Sequence, residues 1–183
     1  NGEGHSITGT SLTILGYLGS TTVSVPATST VSNSSVERLA ADINAVTELT
    51  GVEATAVTKA ELYKVSKVGA MSFKLMGNRP ASGAETNYKF DITAQIADTS
   101  DLNPLITAIN AQAANTGITA TVGATAASVI LTHATGEDIE IDTFVLETTT
   151  SGNMSMRSLD KYGNNLGAAD LTLNSTLNTA LDD

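Results

Sequence analysis

Few residues in this chain are equipped for catalysis. Histidine occurs twice, at His5 and His133. Ser128, His133 and Asp138 supply the residue types of a Ser-His-Asp triad, but no serine sits in a nucleophile-elbow sequence. His133 opens the stretch HATGED, which reads as a turn between two strands. The densest acidic cluster is Glu137, Asp138, Glu140 and Asp142. In a strand, Asp138, Glu140 and Asp142 face one side and Ile139 and Ile141 the other. Three carboxylates on one face could hold Ca²⁺, yet neither an EF-hand loop nor a tandem Gly-Asp repeat accompanies them. A solvated acidic face over a buried aliphatic one is the simpler account. Glycine is scattered without a phosphate-cradling loop, and no HExxH occurs. Cysteine is absent, which removes disulfides, thiolate zinc sites and cysteine nucleophiles together. Asn33, Asn153 and Asn174 each begin an N-glycosylation acceptor pattern, as chance allows where about a quarter of residues are Ser or Thr. We therefore expect no catalytic, cofactor-binding or metal-binding residues and no enzymatic activity.

Composition narrows the class further. With 183 residues, of which 41% are hydrophobic, the chain can bury a core in one domain or two small ones. Aromatics are only 4% and Trp is absent, so that core is built from Leu, Ile, Val and Ala. Met71, Met76, Met154 and Met156 lie in strand-like text and read as core filler. The net charge of −10 argues against a nucleic-acid partner, which needs clustered Lys and Arg. It argues equally against an anionic membrane surface. No apolar run approaches the roughly 20 residues of a membrane-spanning helix. The chain begins with Asn1 rather than Met, so further sequence is expected to precede it.

The elements that carry this composition are written twice. Leu39, Ile43, Asn44, Ala45, Thr50 and Gly51 recur as Leu105, Ile109, Asn110, Ala111, Thr116 and Gly117, each pair 66 positions apart. In the first copy Val36, Leu39, Ala40, Ile43 and Val46 fall on one helical face. Ser34 with Glu37 has the form of a capping box, and Gly51 suits a left-handed helix end. In the second copy Leu102, Leu105, Ile106 and Ile109 form the stripe, Asp101 can cap, and Pro104 falls within the first turn. Each copy predicts one helix of about 14 residues, or about 21 Å. Strand-like text flanks both: 21–25 and 88–96 before them, then 52–57, 70–76, 118–122, 127–132 and 138–142 after. Further strands are expected at 143–149, 153–159 and 170–173, with DKYGNN (160–165) as a hairpin turn. The expected fold class is α+β, two tandem small blocks, each one amphipathic helix packed on a mainly antiparallel sheet. NRPASGAETN (78–87) is the natural divide, giving blocks at 1–80 and 81–183.

The doubled text L-x-x-x-I-N-A-x-x-x-x-T-G-[VI]-x-A-T resembles the short internal motif of bacterial flagellins and related axial proteins of the flagellum. In the second copy the likeness continues through Ser128, Leu131, Thr132, Gly136, Asp138, Ile139 and Ile141. The first copy departs after Val57 and lacks the G-x-D-I-x-I close. The long terminal helices that build a filament core are absent, so the chain resembles the variable, outward-facing domains of flagellin. That resemblance implies an exported structural subunit of the extracellular flagellar filament whose partners are other flagellin subunits. It implies no catalytic residues, no cofactor and no membrane insertion, and it is compatible with O-glycans on exposed hydroxyls. Without terminal helices the fragment is expected to be monomeric. The filament cap protein carries the same motif and is the alternative. A carbohydrate- or host-binding adhesin module is a second, poorly served by the aromatics available: Tyr17, Tyr63, Tyr88, Tyr162 and three Phe.

Overall fold

Alternation and helical periodicity become ten strands and four short helices in the computed structural model, which describes residues 11–24, 36–78, 88–147, 152–167 and 169–175. His5, Asn33, the proposed cap Ser34 and positions 79–87 of the expected divide lie outside the described residues. Strands β1 (Ser11–Leu15) and β2 (Ser20–Ser24) form an antiparallel hairpin. Helices α1 (Val36–Asn44) and α2 (Thr47–Thr50) follow, then β3 (Thr58–Tyr63) and β4 (Gly69–Met76). The second half runs β5 (Phe90–Ile96), α3 (Asn103–Ala111), α4 (Ala113–Thr116), β6 (Ile118–Val122) and β7 (Ser128–His133). It closes with β8 (Glu140–Glu147), β9 (Asn153–Leu159) and β10 (Leu171–Asn174).

Besides the β1–β2 hairpin, the strands make two antiparallel sheets. One has the order β10-β9-β3-β7-β6 and the other β5-β4-β8. Ladders in both cross position 80, where the sequence repeat suggests a divide: β3 pairs with β7 and β9, and β4 with β5 and β8. Helix α3 lies against β5 of one sheet and β6 of the other, so it bridges the two. Leu105 and Ile109 on its inner face are fully buried. Burial of this kind contributes about 1.5–3 kcal/mol per side chain. Met71, Phe73, Leu75, Ile92, Leu131 and Met154 pack in the same core, so the methionines do fill it.

Four expectations are corrected by local geometry. Each predicted 14-residue helix is a nine-residue helix followed by a four-residue one. The break is a tightened turn at the same place in both copies, where Val46 N–H donates to Ile43 O and Gln112 N–H to Ile109 O. The first copy's stripe is only half-buried, with no fully buried residue in α1. Residues 52–57, expected as a strand, pair with no strand; the chain runs straight on into β3. Finally, 138–142 and 143–149 are not two strands, since β8 is continuous across them. A bulge opposite Phe73 puts Thr143 at φ 51°. The extra residue switches the inward parity from Ile141 to Phe144 and Leu146. The hairpin turn at 160–165 is present. The Asp160 carboxylate accepts from the amides of Tyr162 and Asn164, both at 2.8 Å, and is held below the usual carboxylate range chiefly by its bonds to Asn164.

Candidate functional site

What the sequence writes twice, the structure builds twice. Asn110, on the last turn of α3, turns its side-chain amide onto the edge strand β6. Its Nδ2 donates to Ala120 O at 2.9 Å, and Ala120 N–H donates back to Oδ1 at 2.8 Å. Asn44 does the same to Ala54, at 2.9 and 2.8 Å. A carboxamide has one donor side and one acceptor side, so it satisfies both groups as a neighbouring strand would. In this way the asparagine ties helix to strand and closes the edge of the sheet.

Six residues later a buried threonine completes the clamp. Thr116 Oγ1 donates to Gln112 O at 3.1 Å and accepts from Ile118 N–H at 3.2 Å. Thr50 repeats this with Val46 O at 3.0 Å and Val52 N–H at 3.2 Å. Gly51 and Gly117 then reverse the chain at φ 72° and 71°, a left-handed geometry that costs glycine little. A second glycine, directly after β1 in the first copy and after β4 in the second, packs on each clamp. A Cβ on Gly16 would lie 1.9 Å from Thr50 O, and one on Gly77 would lie 2.2 Å from Thr116 O. Sequence reasoning misses this second pair, because Gly16 and Gly77 do not keep the 66-residue offset.

His133 belongs to this scaffold rather than to a triad. Ser128 and His133 occupy opposite ends of β7, five residues apart, so they point to opposite faces about 17 Å from one another. His133 is buried beneath the second clamp, where Nε2 meets Asn78 Oδ1 at 3.1 Å and Nδ1 meets Thr135 Oγ1 at 3.2 Å. Asn78 spends its amide on Asn115 O at 3.1 Å. Its Oδ1 therefore accepts, which places the imidazole proton on Nε2 and leaves Nδ1 to accept from Thr135. Burial holds His133 below its ordinary value of 6.5, and the charge of Glu37 opposes this.

The acidic face is likewise structural. Lys89 Nζ donates to Glu140 Oε1 at 2.9 Å and Asp142 Oδ2 at 3.0 Å, so two carboxylates share one ammonium. Those bonds hold Asp142 below the carboxylate range and Lys89 above its own. Ile139 and Ile141 pack inward, as their alternation implies. Among the described residues no three His, Cys, Asp or Glu side chains are grouped to hold a metal ion. On the outer face of the larger sheet, Arg157 pairs with the buried Glu61 and lies 4.5 Å from the Tyr63 ring centre. The Tyr63 hydroxyl donates to Asp170, which raises the phenol's pKa. Cations and a carboxylate thus already engage that aromatic. Among the described residues no helix is long and apolar enough to cross a membrane.

No curated protein matches the chain. Two of its stretches, residues 11–66 and 82–135, match the family described as the flagellin hook IN motif. Each stretch contains one complete Asn–Thr–Gly clamp, and together they span more than half of the sequence. The chain belongs to the flagellin hook IN motif family, a structural family of flagellar filament proteins.

Proposed function

We propose that this chain is a surface-exposed variable region of a flagellin, displayed on the outside of an extracellular flagellar filament and held there by other subunits. The observation that carries this reading is the pair of matching clamps. Each fixes a helix against the segment that follows it with a side-chain amide and a hydroxyl, which makes a scaffold. The acidic, hydroxyl-rich surface suits display, since like charge keeps neighbouring filaments apart.

Antibodies raised against this chain, applied to intact cells and read by immunogold microscopy, test the proposal. Label along the whole filament is expected. Label confined to the filament tip would assign the chain to a cap protein instead, and label on the cell body alone would refute a filament location. Deleting residues 11–175 from the full-length subunit is expected to leave polymerisation intact while thinning the filament.

A further inference from the structure

The two repeats differ in how their hairpins are finished. In the second repeat β4, the strand that ends in the clamp-packing Gly77, is flanked on both sides, by β5 and by β8. In the first, β1 ends in Gly16 and pairs with β2 alone. The strand that would stand where β8 stands is missing among the described residues. Its absence shows in burial: Leu12 faces the same side as the buried Val23, yet remains 38% exposed. Leu15, Tyr17, Leu18 and Leu49 are exposed as well.

The open edge is self-complementary. Gly16 N–H donates to Gly19 O across the hairpin turn. Alternation then directs the amides and carbonyls of Leu12 and Ile14 to β2, and those of Ser11, Thr13 and Leu15 outward. Two copies of β1 placed antiparallel about a two-fold axis at Thr13 set Thr13 opposite Thr13 and Ser11 opposite Leu15. Every outward amide and carbonyl then finds a partner. Leu12 falls opposite Ile14 on the inner face, so the apolar side stays continuous.

Charge favours the same occupant. The chain carries −10, which sets copies against each other, but no Asp, Glu, Lys or Arg occurs between Glu3 and Glu37. Three other edges are guarded: β5 carries Asp91, β8 carries Glu140 and Asp142, and β6 is closed by Asn110. Of the two remaining uncharged edges, β2 lies against the first two helices and β10 is only four residues long.

We propose that β1 pairs with β1 of a second copy, joining two hairpins into one continuous sheet across a two-fold axis. The contact is isologous and therefore closes as a dimer instead of propagating. It departs from the monomer expected from the sequence. It does not rest on the filament reading, although subunits held side by side would populate it at a high effective concentration.

The absence of cysteine provides the test. In the Thr13→Cys variant the two thiols meet in a hydrogen-bonded antiparallel pair, with Cα atoms about 5.5 Å apart. That lies within the roughly 4.4–6.8 Å a disulfide spans. Mild oxidation is expected to give covalent dimer at least tenfold faster than for Ser158→Cys, an exposed position on β9, which lies inside its sheet. In the unmodified chain, sedimentation velocity is expected to show concentration-dependent dimer that Thr13→Lys abolishes, since it sets two ammonium groups together on the axis. Equal oxidation rates for the two cysteine variants, or a Thr13→Lys chain that dimerises like the parent, would overturn the proposal.

Discussion

Asn44 and Asn110 offer a controlled comparison inside one molecule. They make the same two hydrogen bonds at the same distances, but the backbone residue each serves is buried differently. Ala120 is 4% exposed, whereas Ala54 is only partly buried. Changing Asn44 to Ala removes two bonds worth about 0.5–1.5 kcal/mol each, and water can replace them at Ala54. Alanine also returns about 0.6 kcal/mol of helix propensity, which leaves a net cost near 1 kcal/mol. Asn110→Ala loses the same bonds and gains the same propensity, but it strands a donor and an acceptor where water has poorer access. An unsatisfied buried group costs about 1–3 kcal/mol, so the net for Asn110→Ala is roughly 3 kcal/mol.

Two readouts separate the sites. Urea unfolding reports the global change, with a lower midpoint and an unchanged slope. Amide hydrogen exchange at Ala54 and Ala120 reports each clamp directly. The local measurement matters because the buried cluster runs from Ala60 to Met154 and includes no residue of the first helix. Asn44→Ala is expected to speed exchange at Ala54 while barely moving the global midpoint. Asn110→Ala is expected to lower both. Equal global costs, or unchanged exchange at either alanine, would show that the asparagines do not hold the edges.

Acid should destabilise the second clamp. His133 is held neutral, so its contribution is complete above its unfolded value near 6.5 and is lost as pH falls through the depressed folded value. Unfolding free energy measured from pH 7.5 to 5 is expected to fall less steeply in His133→Gln, which keeps a donor toward Asn78. Thr143 is a β-branched residue at φ 51°, so Thr143→Gly is expected to raise stability by up to about 1 kcal/mol. Deleting Thr143 removes the extra residue of the bulge, so simple alternation keeps Ile141, Phe144 and Leu146 all inward and the variant is expected to keep its fold, as circular dichroism would show. Arg157→Ala leaves the Glu61 carboxylate, whose side chain is 8% exposed, without its partner, at a cost of about 2 kcal/mol by urea titration; Glu61→Gln should recover part of it in the double variant.

Much of the architecture was legible because period and punctuation agree. Strands β6 and β9 occupy the expected residues, and β2, β4, β5, β7 and β10 lie within a residue or two of theirs. Gly51 and Gly117 end their helices as a left-handed glycine should. The clamp residues were visible as repeated letters, although spacing does not reveal that an asparagine bonds a backbone ten residues on. Three features left no local signal. The bulge in β8 is one residue among eight, and only the parity of Ile141 against Phe144 betrays it. Strand β3 (TKAELY) alternates poorly, because Ala60, Glu61 and Leu62 are all buried, Glu61 through its bond to Arg157 on the far face. The tautomer of His133 depends on Asn78, 55 positions away, which no window around HATGED contains.

The position of β3 and β4 explains why the copies diverged in closure. Both follow the first motif in sequence, where β7 and β8 follow the second. In the fold β3 lies between β9 and β7, and β4 lies between β5 and β8, so each is the middle strand of its neighbours. A middle strand has both edges hydrogen-bonded and its apolar face covered, and Leu62, Met71 and Leu75 are accordingly fully buried. Had β3 folded back on 52–57 as β7 folds back on β6, the first repeat would be closed and the larger sheet would lose the strand that joins β9 to β7. The chain keeps the larger sheet, because one shared core removes more apolar surface from water than two small ones. The cost falls on residues 11–57, whose hairpin edge is unfinished and whose helix is half-covered. The repeated motif therefore supplies two equivalent clamps, and the shared core sets which of them stands at an open face.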